Sequence, residues 1–300
     1  MMGARKLTVV YSPLCEANGA FLGQLKAWLA GTDVEIEAYP FDKTPPKYNT
    51  PTPKAENCFI DVFYEETLIS SVPLMKESIL KALGLPLDNT VEESPFPQSE
   101  RTLDETILRQ ALLEGRLRFF PITKETLAQE MQMCLRHYPA GNPPLIYHQD
   151  CIALKAPVFN EVWEYESCAG IYAELDGDVL GLLEVMPRNL VKKYGFLTGT
   201  RGTESETLCI TCYEVAYGVS RVFMLDELMR HLLQMGNAFS AKKIEGVGIL
   251  GCRDGFNPYW VYEKYGFRSV EQLSKNSFVM QRSRSSPYLC VKLPSARYIA

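Results

Sequence analysis

The run from Leu208 to Phe267 constrains this chain more than any other stretch, because it reads without interruption as strand, tight turn, helix, strand, helix. Leu208 to Val215 is rich in β-branched, aromatic and sulfur-bearing side chains and holds no Pro or Gly, which suits a strand. Tyr217-Gly218-Val219-Ser220 breaks it. Apolar residues then recur at helical spacing, with Val222, Leu225, Leu228, Met229 and Leu232 on one face. Asp226, Glu227, Arg230, His231 and Gln234 lie opposite. Gly236-Asn237 supplies the stop. Ile244 to Leu250 is short and apolar with interior glycines, the pattern of a buried strand that another backbone or a ligand approaches closely. Asn257-Pro258 opens the last helix, Asn as its cap and Pro in its first turn, and Gly266 ends it.

A helix entered from a strand through a tight turn offers backbone N–H groups and a positive dipole end to an anion. Two such units in succession form a crevice at the carboxyl ends of their strands. Two readings stay open at this point. Either a nucleotide-type cofactor lies there with its pyrophosphate on the turn at Gly218, or the stretch is an ordinary α/β core.

VYEKYGF (Val261 to Phe267) resembles the last-helix signature of the GNAT N-acetyltransferases, commonly (L/V)-Y-x-K-x-G-F. The unit upstream is similar to that family's acetyl-CoA-binding core in order and size. GIYAELDGDVLGLLEVMP (Gly170 to Pro187) resembles its central hairpin, turning at Asp176-Gly177. The resemblance runs from Arg118 to Ser283. It implies an α/β (α+β) mixed-sheet domain, acetyl-CoA as cosubstrate, and an amine of a small molecule or peptide as acceptor.

By that resemblance Tyr262 is the acid that protonates the leaving thiolate, and Glu214 is the base, its pKa raised by burial. Backbone around Cys212, Tyr213 and Val215 holds the pantetheine arm on a bulged strand. Tyr217, Gly218, Val219, Ser220 and Arg221 cradle the pyrophosphate, and Asn257 belongs to the same site. The chain also departs from the family. Its turn, AYGVSR, differs from (Q/R)-x-x-G-x-(G/A), and Gly255 stands where an Asn is usual. A second class therefore remains beside the enzyme: a GNAT-shaped binding or regulatory protein without turnover.

Three hundred residues, 46% hydrophobic, with a formal charge of −5, leave room for two domains. No stretch approaches the roughly 18 apolar residues needed to span a membrane. The acidic balance and the absence of a Lys/Arg cluster argue against nucleic acid as partner. Nine cysteines after the start MMGARKL point to free thiols in a reducing cytoplasm. Cys209 and Cys212, three apart on a strand, are expected to point to opposite faces. With His137, His148 and His231 scattered, no metal site is expected.

Residues 1–86 read as β-α-β, a loop, then β-β-α: strands at Leu7–Tyr11 and Val34–Tyr39, helix Asn18–Leu29, a hairpin at Glu65-Glu66 and helix Leu74–Leu83. That order resembles the thioredoxin and glutaredoxin fold. In VVYSPLCEAN, Cys15 takes the place of the family's first active-site cysteine and Asn18 that of the second, so Cys15 is a candidate reactive thiol at a helix start. The competing reading is a scaffold without redox cycling. A family-type cis-proline would be Pro51 or Pro53.

Residues 87–116 read as a linker (Pro86 to Ser99) and a bracing helix, and 117–300 as the acetyltransferase-like domain. Within it the pattern suggests a helix Lys124–His137 capped by Thr123 and an irregular loop Pro187–Thr203, and the resemblance implies that the long segment Ile146–Glu166 shapes the acceptor site. Short strands follow at Arg268–Leu273 and Ser277–Gln281, with an extra edge strand at Tyr288–Leu293.

Overall fold

The computed structural model describes residues 5–15, 17–48, 60–71, 74–87, 102–133, 145–200, 204–251 and 257–284. Most of the linker reading, Pro51 and Pro53, His137, Gly255 and the edge strand at Tyr288–Leu293 lie outside them. The chain divides into two compact units. One comprises Met1–Pro97, Tyr138–Val158 and Lys193–Leu197; the other comprises Gln98–His137, Phe159–Lys192 and Thr198–Ala300. The division is thus not a single cut in the sequence.

The first unit holds β1 (Arg5–Tyr11), α1 (Ala17–Trp28), β2 (Val34–Pro40), β3 (Ile60–Tyr64), β4 (Thr67–Ser71) and α2 (Lys76–Ala82). Its sheet runs β2-β1-β3-β4. β1 and β2 are parallel and in register along their whole length, from Arg5↔Val34 to Tyr11↔Pro40. β3 and β4 are antiparallel, joined through Glu65 and Glu66, both at positive φ as a tight hairpin turn demands. Leu7, Val9, Leu25, Ile60, Val62 and Ile79, all fully buried, form the core.

The second unit begins with α3 (Glu105–Leu113), β5 (Leu117–Pro121) and the short α4 (Leu127–Glu130). The helix expected from Lys124 starts three residues later and is interrupted: Leu127–Glu130 is helical, Met131 is a turn, and Gln132 and Met133 are helical again. Thr123 does not cap: its N–H donates to the Thr126 hydroxyl at 2.9 Å, and that hydroxyl donates to the Pro121 carbonyl at 2.7 Å, closing a turn in place of a helical start. Next comes α5 (Leu145–Val162), whose residues from Phe159 onward belong to this unit.

β6 (Gly170–Leu175), β7 (Asp178–Pro187), α6 (Arg188–Lys193), β8 (Thr207–Val215), α7 (Arg221–Gln234), β9 (Lys243–Ile249), α8 (Tyr259–Lys264), β10 (Arg268–Gln272) and β11 (Ser277–Ser283) complete it. The expected irregular loop after Pro187 thus opens with a helix. The seven-stranded sheet runs β10-β11-β9-β8-β7-β6-β5. Every neighbouring pair is antiparallel except β8/β9. One face carries the core. Leu183 and Val185 of β7 and Ile210 and Tyr213 of β8 meet Met224, Leu225, Leu228 and Leu232 of α7 there. Burying each such leucine contributes about 2 kcal/mol. Among the described residues no helix is long and apolar enough to cross a membrane.

Candidate functional site: a split between two parallel strands

β8 and β9 share only the rungs Thr207↔Lys243, Leu208↔Ile244 and Cys209↔Glu245. Both strands continue, β8 to Val215 against β7 and β9 to Ile249 against β11. Two local features end the shared ladder. In β8, Cys212 pairs with Glu184 and Ile210 with Val185, so Thr211 is an inserted residue, a bulge that bends and twists its strand. In β9, Gly246 and Gly248 omit side chains toward the helices, and Tyr262 of α8 takes the space. A Cβ at Gly246 would lie 2.6 Å from the Tyr262 hydroxyl oxygen and Cε1. The result is a split widening toward the carboxyl ends of the strands, with Tyr262 against β9 on its helix side.

Tyr262 is fully buried, packed edge-on to Phe267, and its hydroxyl lies 3.5 Å from Asn257 Oδ1. Burial pushes the phenol well above its ordinary range, so it keeps its proton at neutral pH. Asn257 does not cap the helix as its sequence position suggests. Its φ is +50°, its carbonyl accepts the Ile249 N–H at 2.9 Å, and Pro258 occupies the cap position. The peptide is held to the end of β9, which leaves the Asn257 side chain facing Tyr262.

Glu214 departs from the buried carboxylate that the pattern suggests. It is half-exposed, pairs with Arg221 at the start of α7, and accepts the Val215 N–H at 2.9 Å. The pair ties the end of β8 to the helix that follows. A different carboxylate is fully buried beside the bulge: Glu184 of β7, accepting from the Thr211 hydroxyl at 3.4 Å. It alternates with the core residues Leu183 and Val185, so it points to the sheet face away from Tyr262. The bulge also corrects the expectation for the two cysteines. Because Ile210 and Tyr213 both face the core, Cys209 and Cys212 both lie on the other face. Among the described residues no group of three or more His, Cys, Asp or Glu is arranged to hold a metal.

At the closed end of the split, Glu245 on the last shared rung binds Arg188, with Nη2 3.8 Å from Oε2 and both residues buried. The Gly199 N–H donates to Glu245 Oε1 at 2.7 Å and the Gln281 amide to Oε2 at 3.3 Å. Burial and the Glu245 charge push the neighbouring Cys209 thiol well up. This cluster has no sequence signal, because its members come from four separate elements and loops.

The turn after β8 is built by the main chain. Gly218 supplies φ +76°, and the Val219 N–H donates to the Ala216 carbonyl at 3.2 Å. Ser220 stands at the cap of α7, with no side-chain capping bond. Tyr217 is 62% exposed. Sequence reasoning missed the neighbour of this turn. Leu103, just before α3, donates its N–H to the Gly218 carbonyl at 2.7 Å, and its carbonyl accepts the Ser220 N–H at 2.8 Å. A single-residue bridge between segments so far apart leaves no periodicity to read.

In the first unit, Cys15 lies just before α1 and is only 6% exposed. Asn18 donates its side-chain amide to the Ser12 carbonyl at 2.7 Å and its N–H to the Cys15 carbonyl at 3.1 Å. Burial works against fast reaction of this thiol, whatever the helix start contributes.

No protein-family model matches the sequence, and no curated protein matches it. Solved structures do. Naa50 of Arabidopsis thaliana, in complex with a bisubstrate analogue of CoA and a peptide, matches over 56% of this chain and 99% of its own, at 12% identity and TM-score 0.35. The GNAT-family N-acetyltransferase YhbS of Escherichia coli, in complex with CoA, matches over 57% and 82%, at 12% identity and TM-score 0.36. For a chain from Pyrococcus horikoshii the likeness spans 52% of this chain and 44% of that one, at 14% identity and TM-score 0.34.

Proposed function

We propose that this chain is an N-acetyltransferase, with acetyl-CoA as cosubstrate and a small-molecule or peptide amine as acceptor. The observation that carries the proposal is the β8/β9 pair that stops zipping at Cys209↔Glu245, with a buried tyrosine hydroxyl against Gly246. An extended pantetheine arm is a strand-like ligand, and the strand edges beyond that rung suit it. The pyrophosphate would then lie at the turn Ala216–Arg221 and the start of α7.

The chemistry follows from the side chains. A carboxylate takes a proton from the acceptor ammonium, and the amine nitrogen attacks the thioester carbonyl. As the C–S bond breaks, the Tyr262 phenol gives its proton to the leaving thiolate, and the acylated nitrogen loses its remaining extra proton, which restores the phenol. A phenol held protonated by burial is matched to that role. Two carboxylates compete for the first step: Glu214, tied to Arg221, and Glu184, buried on the opposite sheet face. For the first unit, the strand order β2-β1-β3-β4 with β1 and β2 parallel supports a thioredoxin-type scaffold, with Cys15 in its usual cysteine position.

The second reading, a binding protein without turnover, is favoured by one observation: Leu103 already occupies the Ser220 amide. A thermal-shift titration with acetyl-CoA separates the two. At about 100 times the dissociation constant, stabilisation is on the order of 2.7 kcal/mol. Gly218→Glu places an anion in the turn and removes the shift. Tyr262→Phe keeps the shift and slows transfer to any accepted amine by roughly 100-fold or more. No shift with acetyl-CoA, CoA or longer acyl-CoAs ends the enzyme reading.

A further inference from the structure

We infer that Leu103 is an internal strap on the phosphate turn, one that acetyl-CoA must displace in order to bind. The inference rests on the acyl-CoA reading above and names a regulation of that same site. Its basis is a pair of main-chain bonds. The Leu103 carbonyl accepts the Ser220 N–H at 2.8 Å, and the Leu103 N–H donates to the Gly218 carbonyl at 2.7 Å. Leu103 and Val219 are thereby paired as a one-residue parallel bridge.

An N–H in a straight hydrogen bond serves one acceptor, so a phosphate oxygen cannot take the Ser220 donor while the Leu103 carbonyl holds it. The side chain reinforces the contact. Leu103 is 5% exposed and joins the core that contains Val219 and Phe223. The strap is also well placed to peel. Its downstream end is fixed separately, because the Asp104 carboxylate caps α3 through the Ile107 N–H at 2.9 Å. The Arg109 guanidinium of α3 lies 5.1 Å from the Phe223 ring of α7. Leu103 can therefore leave the turn with α3 staying docked. Binding then depends on the fraction of molecules with the strap off, and the apparent dissociation constant rises as that fraction falls.

Three variants test this in the full-length chain, with CoA itself as probe and calorimetric or thermal-shift affinity as readout. Leu103→Pro abolishes the N–H that holds Gly218 and should tighten CoA binding at least tenfold. Leu103→Ala keeps both main-chain bonds and corrects for the lost side chain; it should fall between wild type and Leu103→Pro. The double variant Leu103→Cys with Val219→Cys, oxidised to fix the strap, should bind at least tenfold more weakly than the same protein after reduction. Hydrogen exchange gives an independent check. CoA should release the Leu103 amide in wild type and leave Ser220 protected, its donor passing to phosphate. Equal CoA affinity in all forms, with Leu103 still protected in the complex, overturns the strap and leaves the acyl-CoA site standing. Absence of CoA binding in every form, Leu103→Pro included, overturns the strap together with the acyl-CoA reading.

Discussion

Among the described residues two parallel strand pairs are each joined by a crossover helix, and they end differently. β1 and β2 stay zipped from Arg5↔Val34 to Tyr11↔Pro40, while β8 and β9 separate after Cys209↔Glu245. Parallel pairing is therefore not what opens the split. β1 and β2 hold no glycine, and no bulge interrupts their register. β8 has the inserted Thr211, and β9 has two glycines filled by a tyrosine from the next helix. A split of this kind needs both a strand bent away and a neighbour shaped to take a side chain in place of a rung. It also needs something to hold the closed end, and the buried Arg188–Glu245 pair stands there.

The largest effect is expected at that closed end. Replacing Glu245 with Leu takes a carboxylate away from the buried Arg188 guanidinium, and the cost is about 3–5 kcal/mol. Urea unfolding, followed by a probe in the seven-stranded sheet, measures it. A loss below about 1 kcal/mol would mean that the strands hold together without the ion pair.

Next in size is Gly246→Ala. The added methyl meets the Tyr262 ring and hydroxyl at 2.6 Å, so the ring must shift, at about 1–3 kcal/mol. If the tyrosine keeps the strands apart, the variant should also weaken CoA binding, because the displaced ring enters the split. Unchanged stability and affinity would show that the separation comes from the Thr211 bulge alone.

A smaller effect, about 1 kcal/mol, is expected for Asp104→Ala, which removes the cap of α3. CoA affinity, read alongside stability, tells whether α3 anchors the Leu103 strap or merely neighbours it. An anchored strap loosens, and affinity rises.

The sequence carried the skeleton of this contrast but not its cause. The change from alternating to helical spacing at Tyr217–Ser220 placed β8 and α7, and Gly246 and Gly248 marked a close approach on β9. The pattern VYEKYGF points to Tyr262, and its burial agrees with the helical face it shares with Val261 and Tyr265. The Thr211 bulge was not legible locally, since no Gly or Pro marks it; it exists only relative to the register of β7. For the same reason the faces of Cys209 and Cys212 were misjudged by strict alternation. Glu214 was placed on the right strand, yet its pairing depends on where the first residue of α7 projects. Leu103 could not be read at all, because its role is two main-chain bonds that any residue but proline can make.

The two crossover helices supply the smallest test. α1 has no histidine, whereas α7 carries His231, stacked on Phe119 with ring centroids 3.8 Å apart. The polar helix face suggests a solvated ring; the structure instead half-buries it against β5. Burial lowers its pKa, with the Arg230 charge adding to the effect, while the bond to the Glu227 carbonyl and the Glu227 charge oppose it. The folded seven-stranded unit therefore prefers the neutral ring. Its contribution is fully present above the unfolded value near 6.5 and is lost as pH falls through that value toward the lower folded one, because the unfolded chain takes up the proton first. The stability of this unit should fall as pH drops through that window in wild type and lose this dependence in His231→Phe, which keeps a flat ring on Phe119. If His231→Phe retains the full slope, the proton is taken up elsewhere, and the stacked histidine is a packing residue alone.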